Sequence, residues 1–127
     1  MEKDCLFCKI ANKEAESFIL YEDDDLMVIL DAYPDADGHT LIIPKKHYKD
    51  IYEIPDELLL KIFNKAKELT HKLMKNLGKD AITYVINYGD AQAIKHFHLH
   101  LIPNYIKKEH NLSKEDVYKI LNEDKDE

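Results

Sequence analysis

The apolar positions along the chain follow two different periods, and the change between them predicts the order of the elements. Short apolar or alternating runs occur at residues 18–22, 26–32, 40–44, 82–88 and 97–103. A period of two residues over such lengths predicts β-strands. Only three aspartates separate the first two runs, so we expect them to form a hairpin. Five strands joined by short turns favour an antiparallel sheet.

A helical period replaces this alternation over residues 56–77. Apolar side chains recur there every three to four positions and predict the core face of one long helix: Leu58, Ile62, Ala66, Leu69 and Leu73. Pro55 suits the first turn of this helix, and Gly78 suits its C-terminal end. His71 lies opposite the apolar face on the helical wheel, so we expect it to face solvent.

Two shorter helices are predicted near the ends of the chain, one at residues 8–13 and one after Ser113, a typical N-cap residue. The whole pattern predicts an α+β fold: an antiparallel sheet of about five strands, with one long helix and short terminal helices on one side. We expect residues 1–127 to form a single domain. Its core would span about residues 5–105, and residues 106–127 would form a C-terminal segment with the last helix and an acidic tail.

Charge and composition exclude several classes of function. A net charge of −7 argues against a general nucleic-acid-binding protein, which needs a basic face. No apolar run approaches the length of a membrane span, and the charged start does not resemble a signal peptide, so we expect a cytoplasmic protein. The 127 residues include 18 lysines and no arginine. Any bound phosphate would therefore be held by histidine, lysine or backbone N–H groups rather than by a guanidinium group.

The most specific pattern is the run His-Phe-His-Leu-His-Leu-Ile-Pro at residues 96–103. In an extended strand, His96, His98 and His100 would project from one face, roughly 6.6 Å apart at a rise of about 3.3 Å per residue. A strand face that is merely solvated more usually carries threonine, lysine or glutamate. The pattern therefore predicts three imidazoles that share one small ligand or one reacting centre.

Cys5 and Cys8 form a second motif, a Cys-x-x-Cys pair made of the chain's only cysteines. A disulfide is disfavoured in a cytosolic domain with an adequate core. A redox pair of the thioredoxin type would need a preceding strand, and none is predicted. A zinc half-site fits the spacing, but it requires two further ligands, and the neighbouring sequence offers none. The residues by themselves leave the role of this pair open.

Both motifs resemble those of the histidine triad (HIT) family of nucleotide hydrolases and transferases. Residues 96–102 match the family signature, in which three histidines alternate with apolar residues. The Cys-Leu-Phe-Cys segment at residues 5–8 is similar to the family's N-terminal motif, and residues 21–47 are similar to its central segment. The resemblance spans about residues 5–105. It implies a HIT-like fold of the Hint-like branch, a purine nucleotide ligand and a homodimer.

For catalysis, the resemblance implies that the middle histidine, His98, is the nucleophile and forms a nucleotidyl-histidine intermediate that water hydrolyses. Such a nucleophile keeps one ring nitrogen unprotonated and donates from the other to a backbone carbonyl. His100 and His39 would hydrogen-bond the phosphate or the leaving group. Partial protonation would let these two histidines stabilise developing charge.

The resemblance also implies contacts to the rest of the nucleotide. Asp31 matches the position of the family's ribose-binding acid, although an ordinary turn residue would look the same. Asn87 matches an asparagine near the sugar or phosphate, and Gln92, in the loop before the triad, is expected to contact substrate as well. Four apolar residues match the positions that enclose the base: Leu6, Phe7, Ile29 and Leu30.

A structural zinc site follows from the same resemblance. In zinc-containing members, the histidine of the Lys-Lys-His segment and the first histidine of the triad complete the cysteine pair. Carried over, the ligands are Cys5, Cys8, His47 and His96. A closed Cys₂His₂ set is typical of a structural rather than a catalytic site.

The loop before the triad departs from the family pattern. Ala93 stands where a serine usually assists the phosphate or leaving group, and Lys95 stands where an aromatic residue is usual.

The leading hypothesis for the function is a hydrolase of purine nucleoside 5′-phosphoramidates or related nucleotidyl substrates. The departures leave the leaving group undetermined, and the sequence keeps two alternatives open. One is a dinucleoside polyphosphate hydrolase, and the other is a nucleotide-binding interaction module whose activity is incidental.

Overall fold

The structure is a computed structural model that describes residues 4–104 and 112–123. Within these ranges the chain forms three α-helices, five strands and one 3₁₀ turn, in this order: α1 (Leu6–Ala11), β1 (Ile19–Glu22), β2 (Leu26–Leu30), β3 (Thr40–Pro44), α2 (Asp56–Leu77), β4 (Ile82–Val85), the 3₁₀ turn (Gly89–Ala91), β5 (Leu99–Pro103) and α3 (Lys114–Leu121). The strands form one antiparallel sheet in the order β1-β2-β3-β5-β4. The predicted α+β fold is confirmed. The last residues of the predicted acidic tail lie outside the described residues.

Helix α2 has the bounds that its apolar period predicts. Ile62, Ala66 and Leu73 are buried on its core face, and His71 is exposed as expected. Gly78 ends the helix with a φ of 64°, and its N–H donates to the carbonyl of Met74. This left-handed conformation favours glycine because it has no Cβ. Pro55 occupies the N-cap position rather than the first turn, since the helix begins one residue later.

The sheet has helices on both faces, which corrects the expectation that all helices lie on one side. The two faces have separate cores, because side chains alternate across a strand. One core packs β2, β3 and β5 against α2 and α3. The other contains four strand residues, Met27, Ile29, Leu41 and Ile43, under Phe7, Cys8 and Ile10 of α1. All positions of β2 and β3 are buried, and an apolar run without alternation requires cover on both faces.

Four strands are shorter than the apolar runs predict: β1 by one residue, β2 and β5 by two residues each, and β4 by three. The run at residues 82–88 leaves the sheet after Val85, which pairs with His100. The run at residues 97–103 enters the sheet only at Leu99, and the N–H of Phe97 donates to the carbonyl of Tyr48 instead of to a neighbouring strand. His96 and His98 therefore lie in irregular backbone just before β5. No helix in the described part of the chain combines the length and apolar character needed to cross a membrane.

Candidate active site and metal centre

A cavity of about 860 Å³ lies on the sheet face that α1 covers. This volume is within the range of ordinary small-molecule sites. Its walls come from α1, the connection to β1, the end of β2 and the beginning of β5. Eight of the residues selected from the sequence line it: Leu6, Phe7, Ile29, Leu30, Asp31, Asn87, His98 and His100. The fold thus brings together candidates that are up to 94 positions apart in the chain.

Gln92 is the substrate-binding candidate that the structure does not bring into this group. It is buried away from the cavity, and its side-chain amide donates to the carbonyl of Lys49 at 2.8 Å. Its neighbour Ala93 does line the cavity. Because the side chains of adjacent residues point in different directions, the sequence motif alone does not decide which of the two faces a ligand.

Two lysines that the sequence did not single out also line the cavity. Lys114, the first residue of α3, donates from Nζ to the carbonyl of Ala32 at 3.2 Å. Lys13 follows α1 and forms an ion pair with Glu22. Neither belongs to a motif, and only the packing of distant segments places their charges here. They supply positive charge to a cavity in a chain without arginine.

The imidazole of His98 is held in one tautomer. Its Nδ1 lies 2.8 Å from the carbonyl oxygen of His96, so Nδ1 carries the proton and donates it to that oxygen. Nε2 therefore retains its lone pair, as expected for a nucleophile. Burial lowers the pKa of His98 below 6.5, and this outweighs the opposite effects of the hydrogen bond to the carbonyl and of the charge of Asp31. The ring is neutral at pH 7.

His39 is fixed in the opposite tautomer by the backbone. The N–H of Asp35 donates to Nδ1 of His39 at 3.0 Å. A backbone amide can only donate, so the neutral ring carries its proton on Nε2. That atom lies 2.9 Å from Nδ1 of His100 and 3.3 Å from Oδ2 of Asp31.

Gly38 directly precedes His39 and has a φ of 87°. A Cβ at this position would collide with the side chain of Leu77.

His100 continues this hydrogen-bonded chain. Because its Nδ1 accepts from His39, its proton is on Nε2, which is buried and has no hydrogen-bond partner among the described residues. Burial, reinforced by repulsion from His98 and His39, lowers the pKa of His100 to about 3. Burial also lowers the pKa of His39. The expectation of partial protonation is therefore wrong: His39 and His100 are neutral N–H donors at pH 7.

The groups of Asp31, His39 and His100 also converge closely enough to suggest a metal site. The tautomer of His39 argues against this interpretation. Its Nδ1 lone pair is used by the N–H of Asp35, and its Nε2 carries a proton. A metal ligand needs a lone pair on the coordinating nitrogen. This trio is therefore a hydrogen-bond network and not a metal site.

A second cluster has the chemistry of a zinc site: Cys5, Cys8, His47 and His96, whose ligand atoms all lie within 4.8 Å of one another. Sγ of Cys5 is 3.2 Å from Nδ1 of His96, Sγ of Cys8 is 3.3 Å from Nδ1 of His47, and the two Nδ1 atoms are 3.1 Å apart. Tetrahedral zinc with bonds of about 2.0–2.3 Å separates its ligand atoms by roughly 3.3–3.8 Å. The spacing of the cluster is close to this requirement.

The hydrogen bonds around the cluster prepare His96 for metal binding. Its Nε2 donates to the carbonyl of Pro44 at 2.8 Å, so Nδ1 directs its lone pair at the two sulfurs. A backbone partner of this kind is typical of metal-bound histidine. Neither Cys5 nor Cys8 is in a disulfide. The four residues can thus hold a zinc ion, which would join α1 to the end of β3 and to the loop before β5.

Fold and site together define a class: an α+β protein with a histidine-lined cavity beside a cysteine–histidine cluster. The sequence model of the HIT domain matches residues 12–107. An uncharacterized HIT-like protein from Methanocaldococcus jannaschii is 42% identical over 103 residues, which cover 80% of this chain and 79% of that protein. The chain belongs to the HIT family.

Characterised and solved relatives fit this membership. The adenylylsulfatase HINT3 of Arabidopsis thaliana is 39% identical over 105 residues, which cover 81% of this chain and 53% of that protein. A zinc-bound histidine triad family protein from Mycobacterium smegmatis matches with a TM-score of 0.85 and 31% identity, over 93% of this chain and 90% of that one. A HIT family hydrolase from Legionella pneumophila matches with a TM-score of 0.71 and 37% identity, over 80% and 93%.

Proposed function

We propose that this protein is a nucleotide hydrolase of the Hint-like branch, which cleaves purine nucleoside 5′-phosphoramidates or related nucleotidyl substrates. The observation that carries the proposal is the tautomer of His98. Its Nδ1 is tied to the carbonyl of His96, which leaves the lone pair of Nε2 on a ring that lines the cavity. A neutral imidazole with one free nitrogen is the form that attacks phosphorus.

The proposed reaction has two displacement steps at the α-phosphorus. Nε2 of His98 first forms a bond to phosphorus, and the bond from phosphorus to nitrogen breaks with its electron pair going to that nitrogen, which takes a proton from solvent and leaves as a neutral amine. Water then attacks phosphorus, loses a proton to solvent, displaces Nε2 and releases the nucleoside 5′-monophosphate. The unpartnered N–H of His100 would hydrogen-bond a phosphoryl oxygen in both steps, and the N–H of His39 would hold His100 in this tautomer by donating to its Nδ1.

The rest of the cavity suggests how the nucleotide is oriented. Leu6 and Phe7 of α1 line the cavity together with Ile29 and Leu30 of β2, and we assign the purine base to this apolar part of it. Asp31 follows directly on β2, and its Oδ1 accepts from the N–H of Tyr33. We assign its remaining acceptor capacity to the ribose hydroxyls and place Asn87 near the sugar or phosphate. Gln92 has no role in this proposal.

We propose further that the cysteine–histidine cluster holds one structural zinc ion. The set of two cysteines and two histidines is closed and offers no position for a substrate. The zinc-bound relative from Mycobacterium smegmatis supports this assignment. When bound, the ion would supply a fixed connection between three segments of the chain, and the chemistry would remain with the histidines of the cavity.

A homodimer is the proposed assembly. Strand β4 is at the edge of the sheet, so one side of its backbone is unpaired within the described residues. Three large apolar side chains of α2 and β4 are exposed: Leu60, Phe63 and Tyr84. Edge strands and exposed apolar groups are commonly covered by a partner. Sedimentation equilibrium at micromolar concentration would contradict this assembly if it returned the mass of one chain.

The function is tested by comparing three substrates at equal concentration: an adenosine 5′-phosphoramidate, diadenosine tetraphosphate and adenylyl sulfate. We expect the phosphoramidate to have the highest kcat/KM. A cavity of about 860 Å³, near the upper end of the usual range, keeps the polyphosphate as a second candidate. Adenylyl sulfate is included because of the name of the Arabidopsis relative. Failure of the protein to turn over any of the three would favour a binding module.

A second prediction concerns Asp31. If its carboxylate accepts from the ribose hydroxyls, Asp31→Asn should weaken AMP binding by about 1–3 kcal/mol, the range for hydrogen bonds to charged groups. The wild type should bind 2′,3′-dideoxy-AMP as poorly as the variant binds AMP, as measured by calorimetry. The two changes should not add, because both remove the same contact. Equal binding of AMP and its dideoxy analogue by the wild type would contradict the assignment.

A further inference from the structure

The two residues between the metal-ligand cysteines belong to the nucleotide cavity. Cys5 and Cys8 are part of the cysteine–histidine cluster, whereas Leu6 and Phe7 line the cavity. Cys5 also caps α1, because its Sγ accepts from the N–H of Cys8 at 3.3 Å. One turn of helix therefore presents its cysteines to the cluster and its apolar side chains to the cavity.

Phe7 contacts both the metal cluster and the nucleophile. Its ring meets that of His96 edge-on, with centroids 5.8 Å apart and an interplanar angle of 88°. It meets the ring of His98 in the same way at 4.9 Å and 70°. A second connection runs through the backbone, since His98 donates to the carbonyl of His96. The cluster and the nucleophile are thus connected through the ring of Phe7 and through the hydrogen bond from His98 to the backbone of His96.

The length of α1 makes this arrangement dependent on its anchors. It has six residues, and an isolated helix shorter than about 12 residues is marginal in water. Its position is therefore determined by tertiary contacts. A metal ion bound by Cys5 and Cys8 would fix both ends of the turn that carries Phe7. Without the ion, the turn keeps its apolar packing but loses one anchor, so a nucleotide that binds must restrict it further and its apparent affinity falls by that cost.

We infer that metal binding and nucleotide binding are thermodynamically linked, with Phe7 as the positioning residue that joins the two sites. This inference rests on the proposed zinc centre and the proposed nucleotide site. Linkage is reciprocal: zinc raises the affinity for AMP by the same factor by which AMP raises the affinity for zinc. Typical couplings between two sites amount to about 5- to 150-fold, and we expect a factor of about tenfold.

The experiment measures both halves of the linkage on the full chain. Calorimetry gives the AMP affinity of zinc-loaded protein and of protein stripped with a chelator. Competition with a chromophoric chelator gives the zinc affinity with and without saturating AMP. Equal factors of about tenfold from the two routes support the inference, and equal affinities in both states overturn it. Absence of tight zinc binding would overturn the zinc centre as well, and absence of AMP binding to the loaded protein would overturn the nucleotide site.

A pair of variants separates coupling through Phe7 from a general effect of metal on folding. Phe7→Leu keeps an apolar cavity wall but removes the ring contacts to His96 and His98. We expect its linkage factor to fall towards one while zinc still binds. Leu6→Ala removes a cavity-lining side chain without those ring contacts, so AMP affinity should fall equally in the loaded and stripped states. If the linkage factor of Phe7→Leu equals that of the wild type, the role of Phe7 is overturned. An equal factor would mean that zinc acts on AMP affinity through the folding of the whole chain, which does not depend on this ring.

Discussion

Replacing His98 by alanine should lower kcat/KM for an adenosine phosphoramidate by a factor on the order of 10⁴ or more, because it removes the attacking nitrogen. A variant of His100 distinguishes loss of the nucleophile from loss of a hydrogen-bond donor. His100→Ala removes a neutral N–H donor, a change that costs about 10²–10³ in rate at a well-placed position, so a slow enzyme should remain. Steady-state kinetics of the two variants beside the wild type measure this difference.

A matched control separates this effect from a general loss of histidine. His71 is exposed on α2, away from both the cavity and the cluster, and His71→Ala should keep wild-type kinetics. His98→Gly should recover part of its activity when imidazole is added, because the space left by the side chain admits an imidazole that can act as the missing nucleophile. Turnover by His98→Ala near the wild-type rate would show that another group attacks phosphorus.

The covalent intermediate gives an independent measurement. Wild-type protein mixed with the phosphoramidate and quenched within the first turnover should gain the mass of one adenylyl group on a peptide that contains residues 96–100. His98→Ala should gain none, although AMP should still bind to it. A label on His39 or His100 would contradict the assignment of His98, since the tautomers place a proton on the Nε2 atoms of both.

Loss of the metal is the second large effect that we expect. Purified protein should contain about one zinc ion per chain, and His47→Ala and Cys8→Ser should contain almost none. Structural zinc ions contribute apparent binding free energies of about 10–16 kcal/mol in small zinc-finger peptides. Here two apolar cores remain without the ion, so we expect the free energy of unfolding to fall by only about 3 kcal/mol and Tm to fall by roughly 10 °C.

Chelator and mutation should act on the same interaction. EDTA should lower the Tm of the wild type to that of His47→Ala, and it should not change the Tm of the variant further. His71→Ala serves again as the control for removal of a histidine, with full metal content and an EDTA response like that of the wild type. Elemental analysis that finds no metal in the wild type, together with a Tm insensitive to EDTA, would contradict the zinc assignment.

The sequence predicted most of the fold because the decisive signals are local. The period of α2 and its terminating Gly78 gave the bounds of the long helix, and β3 was predicted with its observed limits. Strand ends were less predictable. The run before Gly89 continues the apolar pattern, but the ladder between β4 and β5 ends at Val85 and His100. A strand ends where its pairing with the neighbouring strand ends, and the apolar pattern does not show where that pairing stops.

The sequence by itself also determined which residue types could carry the chemistry. The alternating histidines, the cysteine pair and Asp31 were all selected before any geometry was considered, and the match of residues 12–107 to the HIT domain shows the family of the chain. Residue type and spacing can be read from the sequence, so these residues could be selected without knowledge of the tertiary contacts. Gln92 shows the limit of this approach, because its position in a motif did not indicate which way its side chain points.

Only the tertiary structure decided the tautomers of His39, His96 and His98. His98 is oriented by a carbonyl two residues away, His39 by the N–H of Asp35, and His96 by the carbonyl of Pro44, 52 positions earlier in the chain. The structure also placed α1 on the second face of the sheet, so that Phe7 contacts both His96 and His98. The physical reason is that tautomers, pKa values and contacts depend on which distant groups share a buried space. Folding alone sets that arrangement.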